Sequence, residues 1–132
     1  MAKPKKLHHI ALAVKDVDAA QDFFVKNLAA TVERPKRVLE AERSVSVFLS
    51  VGGIKIELLQ STDPEGPVAK LIERKGEGLH SVSFEVDDVE AAAKDLEGKG
   101  LRIVGKTARY VFIHPRDAFG VMVELHAPDQ GC

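Results

Sequence analysis

The chain has 132 residues, of which 45% are hydrophobic and 30% are charged, and its formal net charge is −1. This composition excludes a disordered chain, and no apolar run approaches the roughly 20 residues of a membrane-spanning helix. The balanced charge gives no field that would attract nucleic acid. We therefore expect a cytoplasmic globular protein, in which the single cysteine, Cys132, is an incidental terminal thiol.

In the first half of the chain, hydrophobic periodicity predicts a strand, a helix and three further strands. Asp16 stands where a helix N-cap belongs, after an alternating apolar strand, and Pro35 marks a break or an edge in the following strand. Gly52-Gly53 is a strong signal for a hairpin turn. The predicted strands cover residues 7–14, 31–39, 44–51 and 54–60, with the helix between the first two.

The second half repeats this order after a short linking helix predicted over 67–75. Asp88 is the second N-cap, and its helix should end at Gly98 or Gly100. The predicted strands cover residues 79–86, 101–104, 109–113 and 120–126.

An internal repeat explains why the two halves agree. Residues 7–20 and 79–92 match without a gap at an offset of 72 residues, with identity at 7 of 14 positions. We infer a duplicated β-α-β-β-β module, with module one at about 7–60 and module two at about 79–127. The fold class is α+β: a single domain over residues 1–132, in which both modules form a curved mixed sheet, or cup, with helices outside.

Strand alternation assigns side chains to faces of this sheet. Ile10, Leu12 and Val14 should pack on the helix, which leaves His9 on the opposite face. The same reasoning leaves Glu57 and Glu124 on that face. A mid-strand glutamate is unusual because a buried carboxylate needs a partner. Either the sheet has a solvated polar face, or these three side chains meet in one concavity.

Four segments resemble the methylmalonyl-CoA epimerases, which belong to the vicinal oxygen chelate superfamily with glyoxalase I and the extradiol dioxygenases. They are HHIALAVKD at 8–16, GGIKIELLQ at 52–60, the stretch 63–92 that contains GEGLH, and FIHPRDAFGVMVEL at 112–125. The resemblance implies a cup that binds a divalent metal, with ligand positions at His9, Glu57, Ser81 and Glu124.

Three departures from the family pattern leave alternatives open. Ser81 stands where epimerases have a histidine, so water could fill that position, His80 could be drawn in by a bulge, or the metal could be lost. By register alone His80 should face the core. Ser46 falls near a position where some members carry a candidate catalytic glutamate, and residues 105–108 replace a longer loop.

The resemblance implies a metal-dependent isomerase that epimerises a 2-methylmalonyl-CoA-like thioester by 1,1-proton transfer through an enediolate. His9, Glu57 and Glu124 would hold cobalt, manganese, nickel or zinc, and no other cofactor is expected. Glu124 is the favoured base and Glu57 the other candidate. A second acid would be Glu57, Glu85 or His114, whereas His126 is interpreted as incidental. The alternatives are a metal-free small-ligand-binding member and a glyoxalase-type isomerase or lyase.

The expected partner is therefore an acyl-CoA substrate, and not nucleic acid or a membrane. Its phosphates would meet one of two basic clusters. We also expect a homodimer, because the family is commonly dimeric and exposed sheet edges favour pairing. The basic clusters are Arg34, Lys36, Arg37 and Arg43 in one half, and Arg102, Lys106, Arg109 and Arg116 in the other.

Overall fold

A computed structural model describes residues 3–129, so that the prediction for Cys132 lies outside the described residues. The chain forms two compact units: His9–His80 is one, and residues 3–8 together with 81–129 form the other. That the modules make up a single domain stays a prediction. No helix in the described part of the chain is long and apolar enough to cross a lipid bilayer.

The elements follow the predicted order, with two additional 3-10 turns at Glu40–Glu42 and Pro115–Asp117. The strands are β1 (Lys6–Ala13), β2 (Thr31–Leu39), β3 (Ser44–Val51), β4 (Ile54–Ser61), β5 (Gly78–Glu85), β6 (Ile103–Val104), β7 (Tyr110–Ile113) and β8 (Val123–His126). The helices are α1 (Val17–Leu28), α2 (Pro67–Lys75) and α3 (Val89–Gly98).

The two repeated helices begin as the sequence predicts. The Asp16 carboxylate accepts hydrogen bonds from the amides of Asp18 and Ala19, at 3.0 and 3.1 Å. The Asp88 carboxylate accepts one from the amide of Ala91, at 3.0 Å. These bonds satisfy amides that have no partner inside the helix, and so they fix the start of α1 and of α3.

The strand order confirms the duplication. In the unit His9–His80 the order is β2-β3-β4-β1, and in the other unit it is β6-β7-β8-β5. The two orders are the same, because β5 to β8 are the equivalents of β1 to β4 in the repeat. Strand β1 is parallel to β4, as β5 is to β8, and the remaining pairs within each unit are antiparallel. The predicted α+β class with a mixed sheet is confirmed.

Each unit buries one sheet face under its repeated helix. Within His9–His80, Val17 of α1 packs in a cluster with strand residues such as Leu49 and Leu58. In the other unit, α3 packs Val89 and its neighbours against residues such as Leu125. The core face predicted from alternation is therefore the observed one.

The linking helix α2 covers part of the opposite face of the unit His9–His80. Val68 packs against Ala11, Ala13 and Leu59, all of which point away from the α1 side. The small alanines leave room for the helix over one end of this face. The remaining part of the face carries the polar residues described below.

The last strand is shorter than predicted. The 3-10 turn at Pro115–Asp117 lies before the predicted strand, and Phe119 and Gly120 follow it in the left-handed region, with φ of 58° and 85°. Residues with positive φ cannot continue a strand. Strand β8 therefore starts at Val123 instead of residue 120.

Candidate active site

A histidine and a glutamate from neighbouring parallel strands meet on one face of the unit His9–His80. Strand β1 pairs with β4 so that Ala11 lies opposite Glu57, and His9 is two residues earlier on the same face. The Nε2 atom of His9 lies 3.5 Å from Oε1 of Glu57. Both side chains are largely removed from solvent, with 4% and 14% of their surfaces exposed.

A serine on the next strand holds the other carboxylate oxygen. Ser46 of β3 is buried, and its Oγ donates a 2.7 Å hydrogen bond to Oε2 of Glu57. Burial by itself would raise the pKa of Glu57, but hydrogen bonding with His9 and Ser46, together with the charges of His9 and His80, lowers the pKa below its ordinary value. The carboxylate is therefore kept ionised in a mostly buried place.

His80 belongs to the same electrostatic group, although register alone put it in the core. Burial lowers the pKa of the His80 imidazole, the charge of Glu57 acts in the opposite direction, and His9 lowers the pKa further. The net effect favours the neutral imidazole. Parity assigned His80 to the core, and its place beside Glu57 agrees instead with the alternative in which it is drawn toward the site.

An aromatic ring and an arginine extend this face toward the edge of the sheet. Phe48 is buried, and its ring meets that of His9 edge to face, with centroids 5.2 Å apart. The guanidinium carbon of Arg34 lies 4.7 Å from the centroid of the Phe48 ring. Arg34 was predicted only as a member of a basic cluster, since its contact with Phe48 depends on the register between β2 and β3.

Glu124 lies on β8 of the other unit, in a position equivalent to Glu57. It is buried, and it stands opposite Ser83 on one neighbouring strand and Phe112 on the other. Phe112 thus corresponds to Phe48 in the repeat. Ser81, the equivalent of His9, is also buried in this unit.

The remaining candidates for the second acid, Glu85 and His114, have local partners in the same unit, and so does His126, which is predicted to be incidental. Glu85 is buried, with one carboxylate oxygen 3.6 Å from the Lys5 ammonium. The Nδ1 atom of His114 accepts a 3.1 Å hydrogen bond from the amide of Arg116, which caps the 3-10 turn. His126 is stacked on His8 with ring centroids 4.3 Å apart.

The donors of the unit His9–His80 are compatible with a divalent cation at the His9–Glu57 pair. Two ligands about 2.1 Å from one ion in tetrahedral geometry are about 3.4 Å apart, close to the separation of Nε2 and Oε1. An imidazole and an ionised carboxylate are also the donor types that such ions take. Among residues 3–129, no group of three or more histidine, cysteine, aspartate or glutamate side chains is arranged to hold a metal ion.

Comparison with known proteins gives one consistent result. A family model described as the Glyoxalase/Bleomycin resistance protein/Dioxygenase superfamily matches residues 8–119. The mitochondrial methylmalonyl-CoA epimerase of Bos taurus is 37% identical over 128 residues, which cover 91% of this chain and 73% of the relative. The ethylmalonyl-CoA/methylmalonyl-CoA epimerase of Cereibacter sphaeroides is 33% identical over 130 residues, or 91% and 96% of the two chains.

Solved structures agree with these sequence relatives. The methylmalonyl-CoA epimerase of Mycobacterium tuberculosis has a TM-score of 0.90 and 27% identity, covering 98% of this chain and 92% of its own. A Streptomyces coelicolor methylmalonyl-CoA epimerase in complex with 2-nitronate-propionyl-CoA has a TM-score of 0.87 and 28% identity, covering 97% and 100%. The chain belongs to the glyoxalase/bleomycin resistance protein/dioxygenase superfamily and, within it, to the family of the methylmalonyl-CoA epimerases.

Proposed function

We propose that the protein is an isomerase that epimerises a 2-methylmalonyl-CoA-like acyl-CoA thioester by 1,1-proton transfer. Its relatives are epimerases of such thioesters, and one similar structure holds an acyl-CoA analogue. The observation that carries the proposal is the buried His9–Glu57 pair, with Ser46 on the second carboxylate oxygen. Such a pair gives this face an ionised acceptor in a place that largely excludes water.

The reaction removes the proton from the carbon between the thioester and the carboxylate, and then returns a proton to the opposite face. The electron pair of the broken C–H bond passes into the thioester carbonyl, which gives an enediolate. A carboxylate beside that carbon takes the proton as general base. Glu124 remains the favoured base and Glu57 the alternative, and the second acid stays among Glu57, Glu85 and His114.

His9 and Glu57 would hold a divalent cation. Glu124 would be the third ligand, as the family resemblance implies. Such an ion supplies Lewis-acid polarisation of the substrate's carbonyl oxygens when bound. The chain's own contribution is to fix the donors: Ser46 orients the Glu57 carboxylate, and Phe48 packs against the His9 ring. The donor set does not choose between cobalt, manganese, nickel and zinc.

A cytoplasmic location and a homodimer are further parts of the proposal. The homodimer is supported by the resemblance and by the outer sheet strands, whose unpaired backbone groups favour association. Size-exclusion chromatography with light scattering at several protein concentrations tests it. A constant mass of one chain would contradict the homodimer.

The test of function uses one pure enantiomer of 2-methylmalonyl-CoA. Protein incubated with Co²⁺ and desalted should convert it to an equal mixture of both enantiomers. The matched control is the His9→Ala variant, which removes one donor and should retain far less cobalt. Absence of conversion by a protein that holds a full complement of metal would contradict the epimerase function.

Ser81 favours one alternative, a superfamily member that binds a small ligand without metal or turnover. Its buried hydroxyl stands at the position of an expected histidine ligand, and a hydroxyl is a poor ligand for a divalent ion. Metal retention after desalting separates the two functions. Far less than one ion per chain, together with tight binding of an acyl-CoA, would favour this alternative.

A further inference from the structure

We propose that Arg34 binds the free carboxylate of the substrate's acyl group and thereby selects dicarboxylic over monocarboxylic acyl thioesters. This inference rests on the proposed function and adds a specificity residue to it. It depends on where the guanidinium lies, on what holds it there, and on the absence of an ion-pair partner among residues 3–129.

Register places Arg34 in one row with the His9–Glu57 pair. Arg34 on β2 stands opposite Phe48 on β3, and Phe48 stands opposite Glu57 on β4. Residues directly opposite each other in a sheet share a face. The backbone of Arg34 is two strand spacings, about 10 Å, from that of Glu57. An extended arginine side chain spans most of this distance, so the guanidinium can lie near the His9–Glu57 pair.

The Phe48 ring holds the guanidinium on this face. Arg34 lies over the ring with 4.7 Å to its centroid, while the same ring contacts the His9 imidazole. A single phenylalanine thus separates the cation from the proposed reaction centre. Stacking on an aromatic face restricts the rotamers of an exposed arginine before any ligand arrives, so less entropy is lost on binding.

A strand irregularity accounts for the direction of the side chain. The register between β2 and β3 shifts on both sides of Arg34, and Pro35 follows it. Bulges bend a strand and re-aim its side chains, and they are frequent beside active sites. Proline supports the irregularity because it has no amide hydrogen for the ladder.

Arg34 differs from most of the other predicted cations in having no carboxylate partner within residues 3–129. Five of the seven others are held by local contacts, at N–O distances of 2.9–3.3 Å for the four ion pairs. These contacts are Lys36 with Asp18, Arg43 with Asp63, Arg102 with Asp117, Lys106 with Glu97, and Arg109 with the carbonyl oxygen of Pro128.

The chemistry of the substrate decides which anion Arg34 meets. The phosphates of coenzyme A are separated from the thioester by the whole pantetheine arm, whereas the acyl carboxylate is one carbon away from the thioester carbonyl. A guanidinium one ring away from His9 therefore suits the carboxylate. Its planar fork can also donate two parallel hydrogen bonds to the two carboxylate oxygens.

The experiment measures dissociation constants by calorimetry for three ligands. Methylmalonyl-CoA carries both kinds of anion, propionyl-CoA lacks the carboxylate, and methylmalonyl-pantetheine lacks the phosphates. The proteins are the wild type and the variants Arg34→Ala, Arg34→Lys and Arg74→Ala. Arg74 is an exposed arginine on α2 of the same unit, and it controls for the loss of one positive charge.

Arg34→Ala should weaken the binding of methylmalonyl-CoA and of methylmalonyl-pantetheine by about 10- to 100-fold, as expected for loss of a charge-assisted hydrogen-bonded pair. Its affinity for propionyl-CoA should stay within about 2-fold of the wild type, which also shows that the variant is folded. Arg34→Lys should lose less than Arg34→Ala, because the charge remains and only the fork is lost. Arg74→Ala should bind all three ligands as the wild type does.

Two results would overturn the proposal. One is equal weakening of methylmalonyl-CoA and propionyl-CoA with no effect on methylmalonyl-pantetheine, which would make Arg34 a phosphate contact. The other is unchanged affinity of Arg34→Ala for all three ligands. Failure of the wild type to bind methylmalonyl-CoA would instead overturn the proposed function, and this inference with it.

Discussion

Ser46 Oγ donates a 2.7 Å hydrogen bond to Oε2 of Glu57, on the side of the carboxylate opposite to His9. This bond joins two adjacent strands, β3 and β4, on the face that carries the candidate site. A buried carboxylate with a fixed donor on one oxygen has a defined orientation. Ser46 therefore acts on the site through Glu57.

Substitution of Ser46 by alanine should weaken metal binding without unfolding the protein. The variant Ser46→Ala removes the donor that orients the Glu57 carboxylate, so the carboxylate is less well positioned to bind a cation. We expect about 10-fold lower affinity for Co²⁺, in the range of outer-shell substitutions at metal sites. Titration calorimetry with CoCl₂ measures it.

The matched control is Ser44→Ala, on the same strand and also fully buried. Within residues 3–129 the Ser44 hydroxyl has no hydrogen-bond partner, so its removal should leave Co²⁺ affinity unchanged. The free energy of unfolding should stay equal or rise slightly, since an unsatisfied buried polar group is lost. Equal loss of affinity in both variants would contradict a specific role for Ser46.

Replacement of Glu124 by glutamine should abolish turnover while the fold is retained. Glutamine has nearly the same shape as glutamate, but its amide cannot accept a proton at neutral pH. We expect a fall of at least about 100-fold in the rate of epimerisation, the lower end of what a general base contributes. A circular dichroism spectrum and melting curve that match the wild type control for folding. Wild-type rates in Glu124→Gln would refute the favoured assignment of the base.

Acid should selectively remove the contribution of one ion pair to stability. The Arg102 guanidinium donates a hydrogen bond to each carboxylate oxygen of Asp117, and the Arg102 backbone amide donates a third bond to Oδ2. These contacts lower the pKa of Asp117 from 3.8 to about 2. A depressed folded-state pKa means that stability is fully present above about pH 4 and is lost as the pH falls toward 2.

The comparison that isolates this effect is wild type against Asp117→Asn, melted at pH 6 and at pH 2.5. The wild type should melt at a higher temperature than the variant at pH 6, and the difference should shrink at pH 2.5. The Arg102 side chain is exposed and Asp117 is only partly buried, so the difference should also shrink in high salt. A difference that is independent of pH would show that the charge of Asp117 is not responsible.

The two helix caps should contribute similar amounts to stability. Asp16→Ala removes the acceptor of two amide hydrogen bonds, and Asp88→Ala removes the acceptor of one. Each substitution should lower the free energy of unfolding by about 1 kcal/mol, as measured by urea denaturation. Asp16→Asn and Asp88→Asn are the controls, because asparagine caps helices equally well. An Asp→Asn loss as large as the Asp→Ala loss would indicate a charge effect instead of a cap.

The architecture of this chain could be predicted from the sequence to within a few residues. Periodicity and turn residues are local signals, and they were sufficient for β2 at Thr31–Leu39 and for α2 at Pro67–Lys75. The repeat offset of 72 residues correctly related the two units. Local signals failed at residues 120–122, which were predicted as strand although the backbone leaves the extended region at Phe119 and Gly120, so that β8 begins only at Val123.

The candidate site was only partly predictable, because its contacts depend on register. Alternation put His9 and Glu57 on one face, but it could not give the pairing of β1 with β4 that brings them within 3.5 Å. It also could not place Arg34 over Phe48, since that contact follows from a bulged register in β2. His80 was assigned to the core by parity, although its charge environment includes both His9 and Glu57.

The most direct test of the central claim follows deuterium into methylmalonyl-CoA in D₂O, by mass spectrometry and by loss of the α-proton NMR signal. The metal-loaded wild type should incorporate one deuteron per molecule, at the carbon between thioester and carboxylate. Glu124→Gln, which lacks the favoured base, should incorporate it at least about 100-fold more slowly. No incorporation by wild type that holds one metal ion per chain, or equal rates in the two proteins, would contradict the account.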